Sequence, residues 1–225
     1  MKVGILGSGD VAKALGTGFV ILGHEVQLGS RTADNPKTAA WAKGTNGKRS
    51  TGTFADAAAF GELLVLATLG VATPEAIRLA GVSHFDGKVV IDTTNPLAFS
   101  AQGVPSLAFG PMTSAGEQNQ KRIPNAHVVK AFNIVGNSQM FRPTVPNGPP
   151  DMFICGNDAR AKKQVEALLH DFGWPSVLDI GGIEGSRELE SLCILWVKSA
   201  VGLGNFNVAF RLLRKQPERP GPRSV

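Results

Sequence analysis

The chain has 225 residues, 43% of them hydrophobic and 18% charged, with a formal net charge of +5. That balance suits one large soluble domain, or one domain with a smaller appendage, and no run of about 18 uncharged apolar residues is present to span a membrane. The basic excess does not point to nucleic acid: five basic residues and one acid lie between Arg211 and the C-terminus, so the rest of the chain is nearly neutral. A basic, Pro-rich tail of this kind is expected to be solvated and disordered.

Cys155 and Cys193 stand far apart with no CxxC or metal-ligand spacing, so no metal is expected and the default setting is a reduced, cytoplasmic one. The apolar run after Lys2 ends at a glycine turn, which argues against a signal peptide.

That run, Val3 to Leu6, reads as a first strand, and it leads directly into Gly7-Ser8-Gly9-Asp10-Val11-Ala12. The segment resembles the G-x-G-x-x-G/A turn that seats a dinucleotide pyrophosphate. Gly7 allows the tight turn, Gly9 lets a phosphate approach without a Cβ in the way, and Ala12 keeps helix and strand close. The helix that follows, Val11 to Leu22, would offer free N–H groups and a partial positive charge. A glycine pair alone is weak evidence; its place between a strand-like run and helical apolar spacing strengthens it.

Glu25 to Leu28 reads as a second strand, followed by Gly29-Ser30-Arg31-Thr32 where NAD-binding relatives of this architecture carry an acid. A guanidinium pairs with a phosphate through parallel charge-assisted bonds, so Ser30 and Arg31, with Lys37 nearby, select NADP(H) over NAD(H). The plain alternative is a solvated surface arginine.

Further along, Thr51 to Phe54 suggests a third strand, Ala55 to Phe60 a helix, Leu63 to Ala67 a buried strand, Pro74 to Ala80 a helix, Lys88 to Asp92 a fifth strand and Ala126 to Ala131 a sixth. This alternation predicts an α/β fold, a Rossmann doubly wound parallel sheet over residues 1–136. Residues 137–215 would form a small C-terminal α/β extension, and 216–225 the tail. Within that extension, Arg142 to Pro150 holds four prolines and reads as irregular; Asp151 to Cys155 reads as a strand, Asp158 to Phe172 as an amphipathic helix, and Ser176 to Ile180 as a strand. A longer helix is expected from Ser186 to about Lys215, kinked or broken at Gly202 and Gly204. Its stripe of Leu189, Leu192, Trp196, Ala200 and Leu203 suits a core face or a homodimer seam.

Ligands of such sheets bind beyond the carboxyl ends of the strands, which here carry small, amide and apolar groups. The four histidines lie at turns, strand starts or a helix end, and each reads as structural. With no tyrosine in the chain, the Tyr-x-x-x-Lys acid catalyst of short-chain dehydrogenases is excluded. No metal cluster or nucleophile elbow is legible, and no catalytic residue is assigned. Hydride transfer between two redox rings needs no protein acid or base, so it fits this inventory.

Several segments together resemble the family of NADP oxidoreductases dependent on the deazaflavin coenzyme F-420: Val3 to Ala12, Leu22 to Val26 with Gly29 to Arg31, Asp92 to Leu97, Thr113 to Glu117, Val128 to Asn133, and Gly185 to Glu190. The reductase domain of six-transmembrane metalloreductases is similar, though no membrane part follows in this sequence. The resemblance implies hydride transfer between NADP(H) and a small-molecule acceptor, coenzyme F-420 or a flavin serving as co-substrate. It implies pyrophosphate contacts at Gly7, Ser8, Gly9, Asp10 and Val11, and 2′-phosphate contacts at Ser30 and Arg31. Ala67, Thr68 and Leu69 would line the ribose and nicotinamide, with Asn95 and Pro96 beside them; Leu97, Phe132 and Asn133 would shape the acceptor pocket. Arg187, Glu188 and Glu190 would tie the long helix to the fold. Two alternatives remain open: an imine reducer similar to pyrroline-5-carboxylate reductase, and a non-catalytic NADP(H) sensor.

Overall fold

In the computed structural model, residues 1–213 are described, apart from 45, 46, 102, 104 and 147. Strands β1 (Lys2–Leu6), β2 (Glu25–Ser30), β3 (Arg49–Thr53), β4 (Leu63–Leu66), β5 (Val89–Asp92) and β8 (His127–Lys130) are parallel neighbours in the order β3-β2-β1-β4-β5-β8. This is the doubly wound order of a Rossmann sheet. All four residues of β4 are buried, as are the last four of β1, which is what helices on both faces demand.

Helices α1 (Asp10–Ile21), α2 (Pro36–Ala42) and α6 (Ala159–Asp171) supply one core, where Phe19, Trp41, Leu168 and Phe172 meet. The opposite core gathers Phe54, Ala58, Ile77, Phe85 and Ile123, from α3 (Phe54–Phe60), α4 (Thr73–Ala80), α5 (Ala115–Arg122) and the turns between them. The sheet continues past β8: β9 (Asp151–Gly156) pairs antiparallel with β8, and β10 (Ser176–Asp179) parallel with β9. A separate hairpin, β6 (Leu97–Phe99) with β7 (Pro105–Leu107), projects beyond β5, and α7 (Ser186–Leu203) closes the described elements.

Three differences from the sequence reading have local causes. The last helix breaks at Gly204, one of the two glycines where a kink or break was expected, and does not go on toward Lys215, because Gly204 adopts φ 60° and its N–H turns back to the carbonyls of Ala200 and Val201. The chain then runs back without helix: Trp196 Nε1 donates to the Val208 carbonyl at 2.7 Å, and Asp151 N to that of Phe210 at 2.9 Å. The third strand starts earlier and stops at Thr53, since Thr53 and Asp56 form a reciprocal capping box that starts α3 at Phe54. Helices α2 and α5 and the β6–β7 hairpin were not foreseen; α5 is mostly polar along its length, so apolar spacing gives no sign of it. Residues 142–150 carry no helix or strand among those described, as the prolines predict. The expected tail, 216–225, lies outside the described residues.

Candidate functional site

The carboxyl ends of β1, β2, β4, β5 and β8 lie along one edge of the sheet, and the residues singled out from sequence fall there. Gly7 follows β1, its N–H bonded to the Gly29 carbonyl at 2.9 Å. A methyl at Gly7 would meet the Ala67 carbonyl oxygen at 2.4 Å, so this glycine is required by the protein's own packing. Gly9 differs. It is exposed, has an ordinary φ of −83°, and has nothing within 4 Å of where its Cβ would stand. It is also the N-cap of α1, and no side chain caps that helix. An uncapped helix start beneath an open glycine has the form that an anionic group fills. Asp10, whose carboxylate pairs with Lys13 at 3.4 Å, and the half-buried Ser8 and Val11 complete the turn.

At the end of β2, Ser30 is buried and its Oγ donates to the Thr32 carbonyl at 2.5 Å. Arg31 is exposed, and among the described residues it makes no hydrogen bond or ion pair. Across from it, Glu75 of α4 is held below the usual carboxylate range, first by the hydrogen bond from Arg78 and more weakly by the charges of Arg78 and Arg31. Beyond β4, Ala67 is buried, Thr68 Oγ1 lies 2.8 Å from Thr73 Oγ1, and Leu69 is 77% exposed. A methyl at Gly70 would strike the Asn95 carbonyl oxygen at 2.2 Å, which shows how tightly the loops after β4 and β5 abut.

At the β5 and β8 ends, Asn95 Nδ2 donates to the Asn133 carbonyl at 2.8 Å, while Asn133 Nδ2 donates to Asn95 Oδ1 and to the Leu189 carbonyl, each at 2.9 Å. Asn133 Oδ1 is buried and has no hydrogen-bond partner among the described residues. Pro96 is buried and Leu97, which opens β6, is half-buried. The Phe132 ring points into the core, 2% exposed and 5.6 Å from the Phe172 ring, so this residue brings its backbone to the edge and keeps its aromatic face inside. That backbone has φ 62°, a left-handed conformation that is unusual for an aromatic residue.

Beneath these loops is a charged cluster that the sequence reading did not assemble. Lys130 Nζ bonds Glu190 Oε1 at 2.7 Å and stands 3.3 Å from Asp92 Oδ2, with all three side chains buried. One signal was legible: a lysine inside the apolar run Val128-Val129-Lys130-Ala131 has to find a buried partner. Glu190 does tie α7 to the fold, by accepting from the N–H groups of Ala115 and Gly116. Arg187 does so too, through two bonds to Glu117 at 2.8 and 2.5 Å, whereas Glu188 makes no such bond among the described residues. Burial pushes the thiols of Cys155 and Cys193 up to about 11 and about 12, so neither is a ready nucleophile.

Residues 2–96, which include the glycine turn, Arg31 and the β4 and β5 ends, match the family model described as NADP oxidoreductase coenzyme F420-dependent. Among solved structures, a putative F420-dependent NADP-reductase from Arthrobacter sp. FB24 is 36% identical, with a TM-score of 0.89 over 95% of this chain and 100% of that one. Among curated proteins, Metalloreductase STEAP3 of Rattus norvegicus is 30% identical over 85% of this chain, and the F420-dependent NADP reductase of Methanocaldococcus jannaschii is 30% identical over 63% of it. The chain spans 36% of the rat protein's length and 63% of the archaeal one's. With the Arthrobacter match covering 95% of this chain and all of that one, this chain belongs to the family of coenzyme F420-dependent NADP oxidoreductases.

Proposed function

We propose that the protein is an NADP(H)-dependent oxidoreductase that passes a hydride between the nicotinamide and a deazaflavin or flavin-type ring. The observation that carries this reading is the pairing of an open glycine at an uncapped helix start with an exposed arginine at the end of β2 that makes no hydrogen bond or ion pair among the described residues. Pyrophosphate would sit on Gly7 to Val11, and the 2′-phosphate on Ser30 and Arg31. Ala67, Thr68 and Leu69 would border the ribose, with the exposed Leu69 offering an apolar surface to a flat ring. Asn95, Pro96, Leu97, Phe132 and Asn133 would form the edge where the second ring arrives.

Bound NADPH would supply the hydride, and the residues named above would hold it and orient its ring toward the acceptor. Apart from Asp10 and Arg31, the edge residues named here are glycine, hydroxyl, amide and apolar groups, which suits transfer between two rings that needs no protein acid or base. Rapid mixing of the protein with NADPH and, in turn, the deazaflavin coenzyme, FMN and a quinone tests this: oxidation of NADPH by a ring acceptor is expected, and none with any of them would refute it.

The exposed apolar residues of α7 and the turn after it, Leu195, Val201, Leu203 and Phe206, are the surface through which a homodimer would form. A reducing, cytoplasmic setting agrees with two buried, unpaired thiols.

A further inference from the structure

Lys130 ends β8 with its side chain wholly buried, and an ammonium taken out of water costs several kcal/mol unless it is paired and hydrogen-bonded. Its Nζ donates to Glu190 Oε1 at 2.7 Å and to the Thr94 carbonyl at 2.6 Å, with Asp92 Oδ2 at 3.3 Å. Burial alone would pull this lysine's pKa down, but the two carboxylates and the Glu190 hydrogen bond outweigh it and hold the pKa above its ordinary value. The anions are satisfied in turn. Asp92 accepts from Thr94 N, Thr94 Oγ1 and Asn119 Nδ2, and Glu190 accepts from the first two N–H groups of α5. One cation between two anions thus joins the ends of β5 and β8 to the start of α5 and the first half of α7.

Stability alone does not call for such a cluster, because apolar side chains of similar volume often serve as well or better. What the cluster adds is direction, and it adds it where local rules are broken. Two residues beyond Lys130, Phe132 holds φ 62°, and next to it Asn133 keeps a buried oxygen unpartnered. Strain and unmet polar groups persist only where the surroundings over-determine them, and they collect at ligand sites. On the facing side, the Thr94 carbonyl that Lys130 grips lies directly before Asn95 and Pro96.

We propose that Lys130 is a positioning residue: its ammonium holds the Thr94–Pro96 edge against the Ala131–Asn133 edge and so sets the face on which nicotinamide and acceptor ring meet. This rests on the hydride-transfer reading above. Lys130 touches neither reactant; it acts through the Thr94 carbonyl and through Glu190, whose neighbour Leu189 holds Asn133.

Lys130→Met alone leaves two buried carboxylates without a cation, so the test uses the double variant Lys130→Met/Glu190→Gln, with Glu190→Gln as the milder companion. Three readouts are compared with wild type: NADPH affinity by titration, the emission of bound NADPH as a report on the ring's surroundings, and single-turnover oxidation by the deazaflavin coenzyme or FMN. The double variant should keep NADPH affinity within about twofold, since the glycine turn and Arg31 are untouched, while bound emission moves toward that of free NADPH and oxidation slows about tenfold or more. Glu190→Gln should shift emission and rate in the same directions by smaller amounts, and it decides alone if the double variant does not fold. Wild-type emission and rate in the folded variants would overturn the proposal, as would affinity falling with thermal stability while the rate per bound NADPH stays constant. A wild-type protein that reduces no acceptor would end the hydride reading, and the emission comparison would still decide the role of Lys130.

Discussion

Gly7 and Gly9 look equivalent in the sequence and are opposite in the structure. Gly7→Ala drives a methyl to 2.4 Å from the Ala67 carbonyl oxygen and should destabilise the fold by about 1–3 kcal/mol, visible in denaturant titration. Gly9→Ala meets nothing of the protein and should change stability by less than about 1 kcal/mol, yet it obstructs the phosphate approach and should weaken NADPH about tenfold or more. Equal NADPH affinity in Gly9→Ala and wild type would place the pyrophosphate elsewhere. Arg31→Ala should cost about 1–3 kcal/mol of NADPH binding, roughly 5- to 150-fold, with NADH nearly unchanged. Calorimetry with both nucleotides checks this, and equal losses would mean that Arg31 does not read the 2′-phosphate. These residues were legible because each acts through its own backbone freedom or charge. Asn133 was legible only as a polar group at a strand end; its bond to the Leu189 carbonyl spans 56 positions.

At the scale of elements, α5 and α7 are joined by the paired bonds of Arg187 to Glu117. The Arg187 hydrogen bond is the chief cause holding the Glu117 carboxyl below its ordinary value. Its folded pKa is therefore below its unfolded one, so the pair stabilises the fold above the unfolded pKa of about 4.5 and is lost as pH falls through the folded value. Arg187→Ala should accordingly move the acid-unfolding midpoint to higher pH, measured by circular dichroism against wild type; an unchanged midpoint would show that the pair adds nothing. Six of the eight sheet strands are parallel neighbours in Rossmann order, and apolar runs made them readable except for the polar β3. Helix α5 was not, because Asn119 binds Asp92 and the backbone N–H groups of its first turn bind Glu190, in place of an apolar core contact.

Over the whole molecule, the same sheet that builds the ligand edge carries β9 and β10 outward from β8, and the chain returns past β9 through residues 205–210 after Gly204 ends α7. On α7, Leu195, Val201 and Leu203 stand in solvent, whereas Leu189, Cys193 and Ala200 are buried. Leu195→Lys with Val201→Lys should convert a dimer to a monomer in light scattering, and an unchanged mass would move the interface elsewhere. Among the described residues, no helix is long and apolar enough to cross a membrane. The sequence by itself determined the alternation of strands and helices, the glycine turn after β1 and the arginine beyond β2, because these follow from periodicity, glycine and charge within short stretches of chain. Only the tertiary structure decided the ion cluster of Asp92, Lys130 and Glu190 and the inward turn of the Phe132 ring. Each of these depends on which distant groups the sheet brings within hydrogen-bond reach, and on what packing then leaves outside.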